Sequence, residues 1–206
     1  MAIDPDDYSS IGECCIVRQG YKPYVKGKFA GRPELSDDDV ARIIAERRYH
    51  HNEPGEGRIL ELDGADVRPF RIQIPEQETW VDHVENTVAE LMPEEYRSGR
   101  RIVIREIAAR PPRFIIAAET ELEFVHDPAI IMVRPKEGYE QLYDIIELYL
   151  NSTVNENHVA YLAAKVGKGL FAKFTINEIR RLPIPHKENI TPDILTQAAA
   201  IISELK

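Results

Sequence analysis

Apolar residues along this chain follow two periods, and the change between them falls near Gly138. Before that point the runs are short. Ile11 to Val17 forms one such run and leads into a turn-rich stretch, Gln19 to Pro33, which predicts a strand entering a long loop. Ser36 followed by Asp37, Asp38 and Asp39 predicts a capped helix with acids in its first turn, and Val40, Ile43 and Ile44 set its period. Leu60 to Phe70 has a strand-turn character around Asp63-Gly64, and Ile72 and Ile74 alternate after it. Trp80, Val84, Val88 and Leu91 recur at helical spacing, although Trp80-Val81 also reads as strand. Ile102 to Ile107, Phe114 to Ala118 and Ile130 to Val133 then predict adjacent antiparallel strands.

After Gly138 the period becomes about 3.6. Leu142, Ile145, Ile146 and Tyr149 line one face of a helix, and Val159, Leu162, Ala163 and Val166 line a second, with a break near Asn151-Ser-Thr. Leu182-Pro-Ile-Pro185 reads as an extended edge segment, because two prolines cannot sit in a central strand. A last helix opens with Thr191 as cap and Pro192 at its first position, and Ile194, Leu195, Ala198, Ile201, Ile202 and Leu205 form its stripe. The pattern predicts an α+β protein: a curled, mostly antiparallel sheet with flanking helices and a C-terminal amphipathic helix. Residues 1–186 are expected to form the main domain, and 187–206 a docking or dimerisation element.

The length, 206 residues, suits one domain with an appendage and a sizeable core. No uncharged apolar run approaches the roughly 20 residues of a membrane-spanning helix, and the start lacks the basic and apolar regions of a signal peptide, so a cytoplasmic location is expected. Cys14 and Cys15 are neighbours, too constrained for an ordinary disulfide, and read as reduced, buried thiols.

Charge changes the picture. With 26 basic against 35 acidic residues the net charge is −9, which argues against a nonspecific polyanion binder. Yet the cations are gathered. Arg18, Lys22, Lys26, Lys28 and Arg32 stand without an acid among them, Arg97 to Arg113 holds six arginines against Glu106 alone, and Lys165 to Arg181 is a third basic stretch. A fold that collects these stretches on one face makes a cationic groove on an acidic body. In Gly20-Tyr-Lys-Pro-Tyr-Val-Lys-Gly-Lys28 aromatics alternate with cations, so lysines can meet phosphates while Tyr21, Tyr24 or Phe29 packs on sugars or bases. Those aromatics serve equally well as core.

Catalytic signatures are missing: there is no phosphate-binding Gly-rich loop, no Gly-x-Ser-x-Gly elbow and no His-Glu-x-x-His. His50-His51 with Glu53 reads as a surface pair at a helix end rather than a metal site. Glu61 and Asp63 alternate on one strand face, as do Glu119, Glu121 and Glu123. Such carboxylates can hold Mg²⁺ in a nuclease or hydrolase, but a solvated strand face is the better account.

Ile145-Ile-Glu-Leu-Tyr-Leu-Asn-Ser-Thr153, followed by Gly169-Leu-Phe-Ala-Lys-Phe-Thr-Ile-Asn-Glu-Ile-Arg-Arg-Leu-Pro-Ile-Pro185, resembles the end of the target-recognition domain of restriction-modification proteins. The kinship is to the TaqI-like C-terminal specificity domain and the type I specificity subunits. Leu60 to Phe70, with Gly64, Asp66, Pro69 and Phe70, resembles that family's Leu-x-Gly-x-Asp-Ile-x-Pro-Tyr/Phe turn. Arg101-Ile-Val-Ile-Arg-Glu-Ile107 resembles one of its strands, and Cys15 to Tyr21 its opening strand and loop.

The resemblance implies a noncatalytic reader of double-stranded DNA working beside an adenine-type amino-methyltransferase, whose own domain binds S-adenosylmethionine, and in some systems an endonuclease. Arg110-Pro-Pro-Arg113 departs from the methyltransferase motif, lacking the Asn or Asp that holds the target amino group and the aromatic that stacks on a flipped base. The expected DNA contacts are Arg18, Lys22, Tyr24, Lys26, Lys28, Arg32, Arg105, Lys168 and Lys173, with no catalytic, cofactor or metal residue in this chain. The alternatives are a Mg²⁺-dependent nuclease or hydrolase using Glu61 and Asp63, and a protein-interaction module built on the terminal helix, through which two copies could pair.

Overall fold

A computed structural model describes residues 8–23, 35–85, 87–88, 90–107, 109, 115–155, 159 and 173–206. In chain order the strands are β1 (Tyr8–Ser10), β2 (Cys15–Gln19), β3 (His50–His51), β4 (Arg58–Leu62), β5 (Val67–Arg68), β6 (Arg71–Ile72), β7 (Thr79–Asp82), β8 (Arg101–Arg105), β9 (Ala117–Thr120), β10 (Val125–His126), β11 (Ile130–Pro135) and β12 (Pro183–Pro185). The helices are α1 (Ile11–Cys14), α2 (Asp37–Glu46), α3 (Glu94–Arg97), α4 (Tyr143–Asn151), α5 (Ile176–Arg180) and α6 (Pro192–Leu205).

Two four-stranded sheets organise the chain, in the orders β2-β11-β8-β9 and β10-β4-β7-β3, with two further two-stranded pairs, β1-β12 and β5-β6. Every pairing in the first sheet is antiparallel, and β10 runs parallel to β4 in the second. The first sheet is buried on both faces. One face carries Val17, Ile102, Ile104, Ile131 and Val133 against Leu142, Ile146, Leu150 and Ile179 from the helices. The other carries Val103, Ala118 and Ile130 against Leu60, Leu62 and Phe124. Double burial explains why β8 and β11 read as continuous apolar runs rather than alternating ones.

Several predicted elements differ in form. Ile11 to Val17 divides into α1 and β2, with both cysteines buried and free. Trp80 lies in β7, paired with β3 and β4, and the helical spacing of Trp80, Val84, Val88 and Leu91 is coincidental: Val81 and Val88 enter a small core with Tyr21, Met92 and Val125, while Val84 and Leu91 are exposed. His50 and His51 occupy a strand, not a helix end, so their rings take opposite faces. The second predicted helix, Val159 to Val166, lies outside the described residues apart from Val159.

Asn151, the last residue of α4, ties that helix to the sheet. Its Oδ1 accepts from the Ala117 amide at 3.1 Å and its Nδ2 donates to the Ala117 carbonyl at 2.9 Å, closing the exposed flank of β9 as a further strand would. The same carbonyl accepts the Phe70 amide at 2.9 Å. Phe70 stands at a φ of 65°, a left-handed conformation costly for an aromatic residue, in the tight Pro69-Phe70 turn joining β5 to β6.

α6 begins as predicted, with the Thr191 side chain capping and Pro192 in the first turn. It packs on α4 through Ala198 and Ile202. Lys206 reaches the buried Glu147 carboxylate at 3.1 Å. Ile194, Ile201 and Leu205 remain 42%, 47% and 48% exposed.

Candidate nucleic-acid interface

β2 and β8 end, and β11 begins, at the same edge of the first sheet, and short-range backbone contacts bind four segments there. The Gly20 amide donates to Ile130 at 3.3 Å, Tyr21 to His126 at 3.0 Å, Glu106 to Ala129 at 2.8 Å, and Phe174 to Glu106 at 2.8 Å. Gly20 is required by this approach, since a Cβ there would lie 2.1 Å from the carbonyl oxygens of both His126 and Asp127.

This junction gathers part of the expected cation set. Met132 pairs with Arg18 on one side and Val103 on the other, and Arg105 follows two residues after Val103, so Arg18 and Arg105 project from one sheet face. The Arg18 guanidinium lies 5.7 Å from the centre of the Tyr96 ring. Lys22 is exposed one residue beyond Tyr21. Among the described residues, the side chains of Arg18, Lys22 and Arg105 bond to no carboxylate or carbonyl, and neither do those of Arg71 and Arg181. Those of Arg68, Arg101, Arg134, Lys136, Arg180 and Lys187 also lack a carboxylate but bond to Gln73 or to main-chain carbonyls. Six other arginines are neutralised: Arg42 by Asp39, Arg47 by Glu61, Arg48 by Glu46, Arg58 by Asp82, Arg97 by Glu123 and Arg100 by Glu119.

Lys173 is different from the other three. Its Nζ lies 2.6 Å from Glu106 Oε2, and the Gln19 Nε2 donates to the other oxygen of the same carboxylate at 2.9 Å. Tyr24, Lys26, Lys28, Arg32 and Lys168 lie outside the described residues. Tyr21 is core: its ring is buried, and its hydroxyl donates to Glu61 Oε1 at 3.0 Å.

Beside the junction lies a cleft of about 650 Å³, bordered by Pro23, Arg47, His50, Glu61, Asp63 and Asp127. Burial alone would raise the Glu61 carboxyl, but the His50 bond and charge, the Tyr21 hydroxyl and Arg47 hold it below the usual carboxylate range. Burial pushes Asp127 upward, and the neighbouring Asp63, Glu61 and Glu106 add to the effect. Asp63 accepts from the Ala65 amide and caps a short turn. Glu61 is largely enclosed in β4, whereas Asp63 lies beyond the strand, exposed and capping a turn, so the two do not share one solvated strand face. His51 binds Asp82 at 2.9 Å while His50 binds Glu61 at 3.0 Å, which corrects the surface-pair expectation. Among the described residues no three His, Cys, Asp or Glu side chains are grouped to hold a metal ion.

Sequence reasoning missed the roles of Glu106 and Gln19, and held Asn151 only as part of the stretch that carries the family resemblance. Glu106 carried a signal, being the single acid in its basic stretch.

The TaqI-like C-terminal specificity domain family matches residues 60–184, more than half of the chain, and the chain belongs to that family. It is a domain for DNA sequence recognition of the restriction-modification kind. Two solved structures, at TM-scores of 0.53 and 0.59, share the fold. One, from a study of complex assembly and conformational transition in a type I R-M system, aligns with a TM-score of 0.53 and 16% identity over 100% of this chain and 41% of that one. The type IIG restriction endonuclease BpuSI aligns with a TM-score of 0.59 and 12% identity over 97% of this chain and 26% of its own. The HsdS subunit from Thermoanaerobacter tengcongensis aligns at 0.49 and 18% identity, over 100% of this chain and 40% of its own. The chain thus spans well under half of each of these proteins. No curated protein matches it.

Proposed function

We propose that this chain is the noncatalytic DNA-reading part of a restriction-modification assembly. It anchors duplex phosphates with cations at the sheet-end junction and reads base edges with neighbouring polar side chains. The observation that carries this reading is the grouping at one junction of Arg18, Lys22 and Arg105, whose side chains among the described residues bond to no carboxylate or carbonyl, in a chain whose net charge is −9. Tyr24, Lys26, Lys28, Arg32 and Lys168, which lie outside the described residues, are the further DNA contacts of this reading.

Methyl transfer belongs to a partner that carries S-adenosylmethionine and an adenine-type amino-methyltransferase site, and cleavage to an endonuclease where one is present. The exposed face of α6 faces that assembly or a second copy of this chain. Among the described residues no helix is long and apolar enough to cross a membrane, and a DNA substrate suits a cytoplasmic location.

Gel-shift titrations on a duplex across a salt series test the reading. Neutralising about four to six phosphates gives a slope of log K against log salt of about −4 to −5, and Arg105→Ala or Lys22→Ala removes roughly 0.9 from it. A salt-independent affinity rejects the interface.

A further inference from the structure

Glu106 is the single acid of the basic stretch from Arg97 to Arg113, beside the cations gathered at this end of the sheet, and simple electrostatics make it a liability for meeting phosphates. Its environment points to another role. The residue is only 6% exposed, and its carboxylate joins two elements distant in sequence. Gln19 at the end of β2 donates to Oε1 at 2.9 Å, and Lys173, just before α5, sits 2.6 Å from Oε2. The backbone repeats the connection, since the Glu106 carbonyl accepts from Phe174 at 2.8 Å and Ile107 bridges to Lys173. Gln19 is fixed in turn by a second bond, from Nε2 to the Pro128 carbonyl at 3.0 Å. Lys173 keeps its side chain 58% exposed although its ammonium is held. The carboxylate thus sets where an exposed cation and an amide from two separate segments stand, and it does so beside the unpaired Arg105.

We propose that Glu106 is a positioning residue for sequence reading: it trades one unit of attraction for phosphates against a fixed placement of Lys173 and Gln19 at the DNA surface. This role rests on the DNA-reading function proposed above. Placement and charge make opposite forecasts for Glu106→Gln. As an opposing charge only, its removal strengthens binding to every duplex and leaves selectivity intact. As a positioning residue, its removal leaves low-salt binding to an arbitrary duplex unchanged or stronger while preference among sequences collapses.

The test uses the full chain with a pool of duplexes randomised over a central segment, the bound fraction being sequenced, and one fixed arbitrary duplex for total affinity. For Glu106→Gln the enrichment of selected over arbitrary sequences is expected to fall about tenfold without loss of affinity for the arbitrary duplex. Amide exchange at Lys173 and Phe174 should quicken by at least as much. Lys173→Gln, at an exposed position, should lower the same enrichment, and the double variant should select no worse than Lys173→Gln alone, because the pair acts as one unit. Enrichment unchanged in Glu106→Gln, or lost equally on selected and arbitrary duplexes, overturns the proposal while leaving the DNA-reading function standing. A wild-type chain that selects no sequence refutes both, and the exchange rates then report only on the local structure.

Discussion

His126 shows what a single buried polar group costs this fold. Its ring is fully enclosed, with Nδ1 bonded to the Asp127 carbonyl at 3.1 Å, and burial depresses its basicity to about 4. The ring is therefore neutral in the folded chain, while the unfolded chain takes up a proton near the ordinary 6.5. Unfolding binds the proton, so stability falls as pH drops below 6.5 and stops responding to this group near 4. Each pH unit inside that window costs up to about 1.4 kcal/mol. Urea unfolding between pH 7 and 4.5 is expected to show wild type losing roughly 2 to 3 kcal/mol more than His126→Leu. Parallel pH profiles for the two proteins would contradict the buried neutral ring. Residue-level roles of this kind were the least legible part of the sequence. Nothing in the string around His126, Gln19 or Glu106 reveals which distant segment each will meet, because their partners arrive through tertiary packing rather than local spacing.

At the scale of elements, two of the motifs that carry the family resemblance share one anchor. The Pro69-Phe70 turn and the Asn151 staple both bind the main chain of Ala117. The motifs thus hold β5-β6 and α4 on either side of β9, and their joint occurrence reflects a shared structural joint rather than a site of chemistry. Asn151→Leu keeps roughly the volume but strands the buried Ala117 amide, and a loss of about 2 to 4 kcal/mol is expected in denaturant unfolding. A loss below about 1 kcal/mol would mean that water replaces the staple.

Where an element's signal was local it could be read directly: Ser36 and its acids start α2, Thr191-Pro192 starts α6, and the apolar runs of β8 and β11 mark central strands. The stretch from Trp80 to Leu91 defeated the periodicity because short apolar residues there serve a strand, a small core and the surface in turn. The division of the strands into two four-stranded sheets and two smaller pairs, with β10 parallel to β4, leaves no trace in spacing either.

For the whole molecule, charge pairing separates body from interface. Among the described residues six arginines pair with carboxylates and four more bond to Gln73 or to carbonyls, which leaves Arg18, Arg71, Arg105 and Arg181, and the grouping of Arg18 with Arg105 was legible only as basic stretches in the sequence. The other surface left uncommitted is apolar. Ile194 and Ile201 are exposed on α6, so replacing both with Asp should change folding stability by no more than about 0.5 kcal/mol. Sedimentation is expected to show wild type self-associating and Ile194→Asp/Ile201→Asp as a folded monomer. A monomeric wild type refutes the second copy as occupant, and an unfolded double variant refutes the stripe as a free face.

The pairing of β1 with β12 lays Tyr8 against Pro185 and Ser10 against Pro183. The path into the lobe and the path out of it therefore run side by side, one strand spacing of about 5 Å apart. A polypeptide that offers two adjacent antiparallel ends can accept everything between them without redirecting its own backbone. In that geometry residues 11–182 hang from a two-stranded stem, and α6 turns back from it onto α4, so the segment between the two strands is tied at its base.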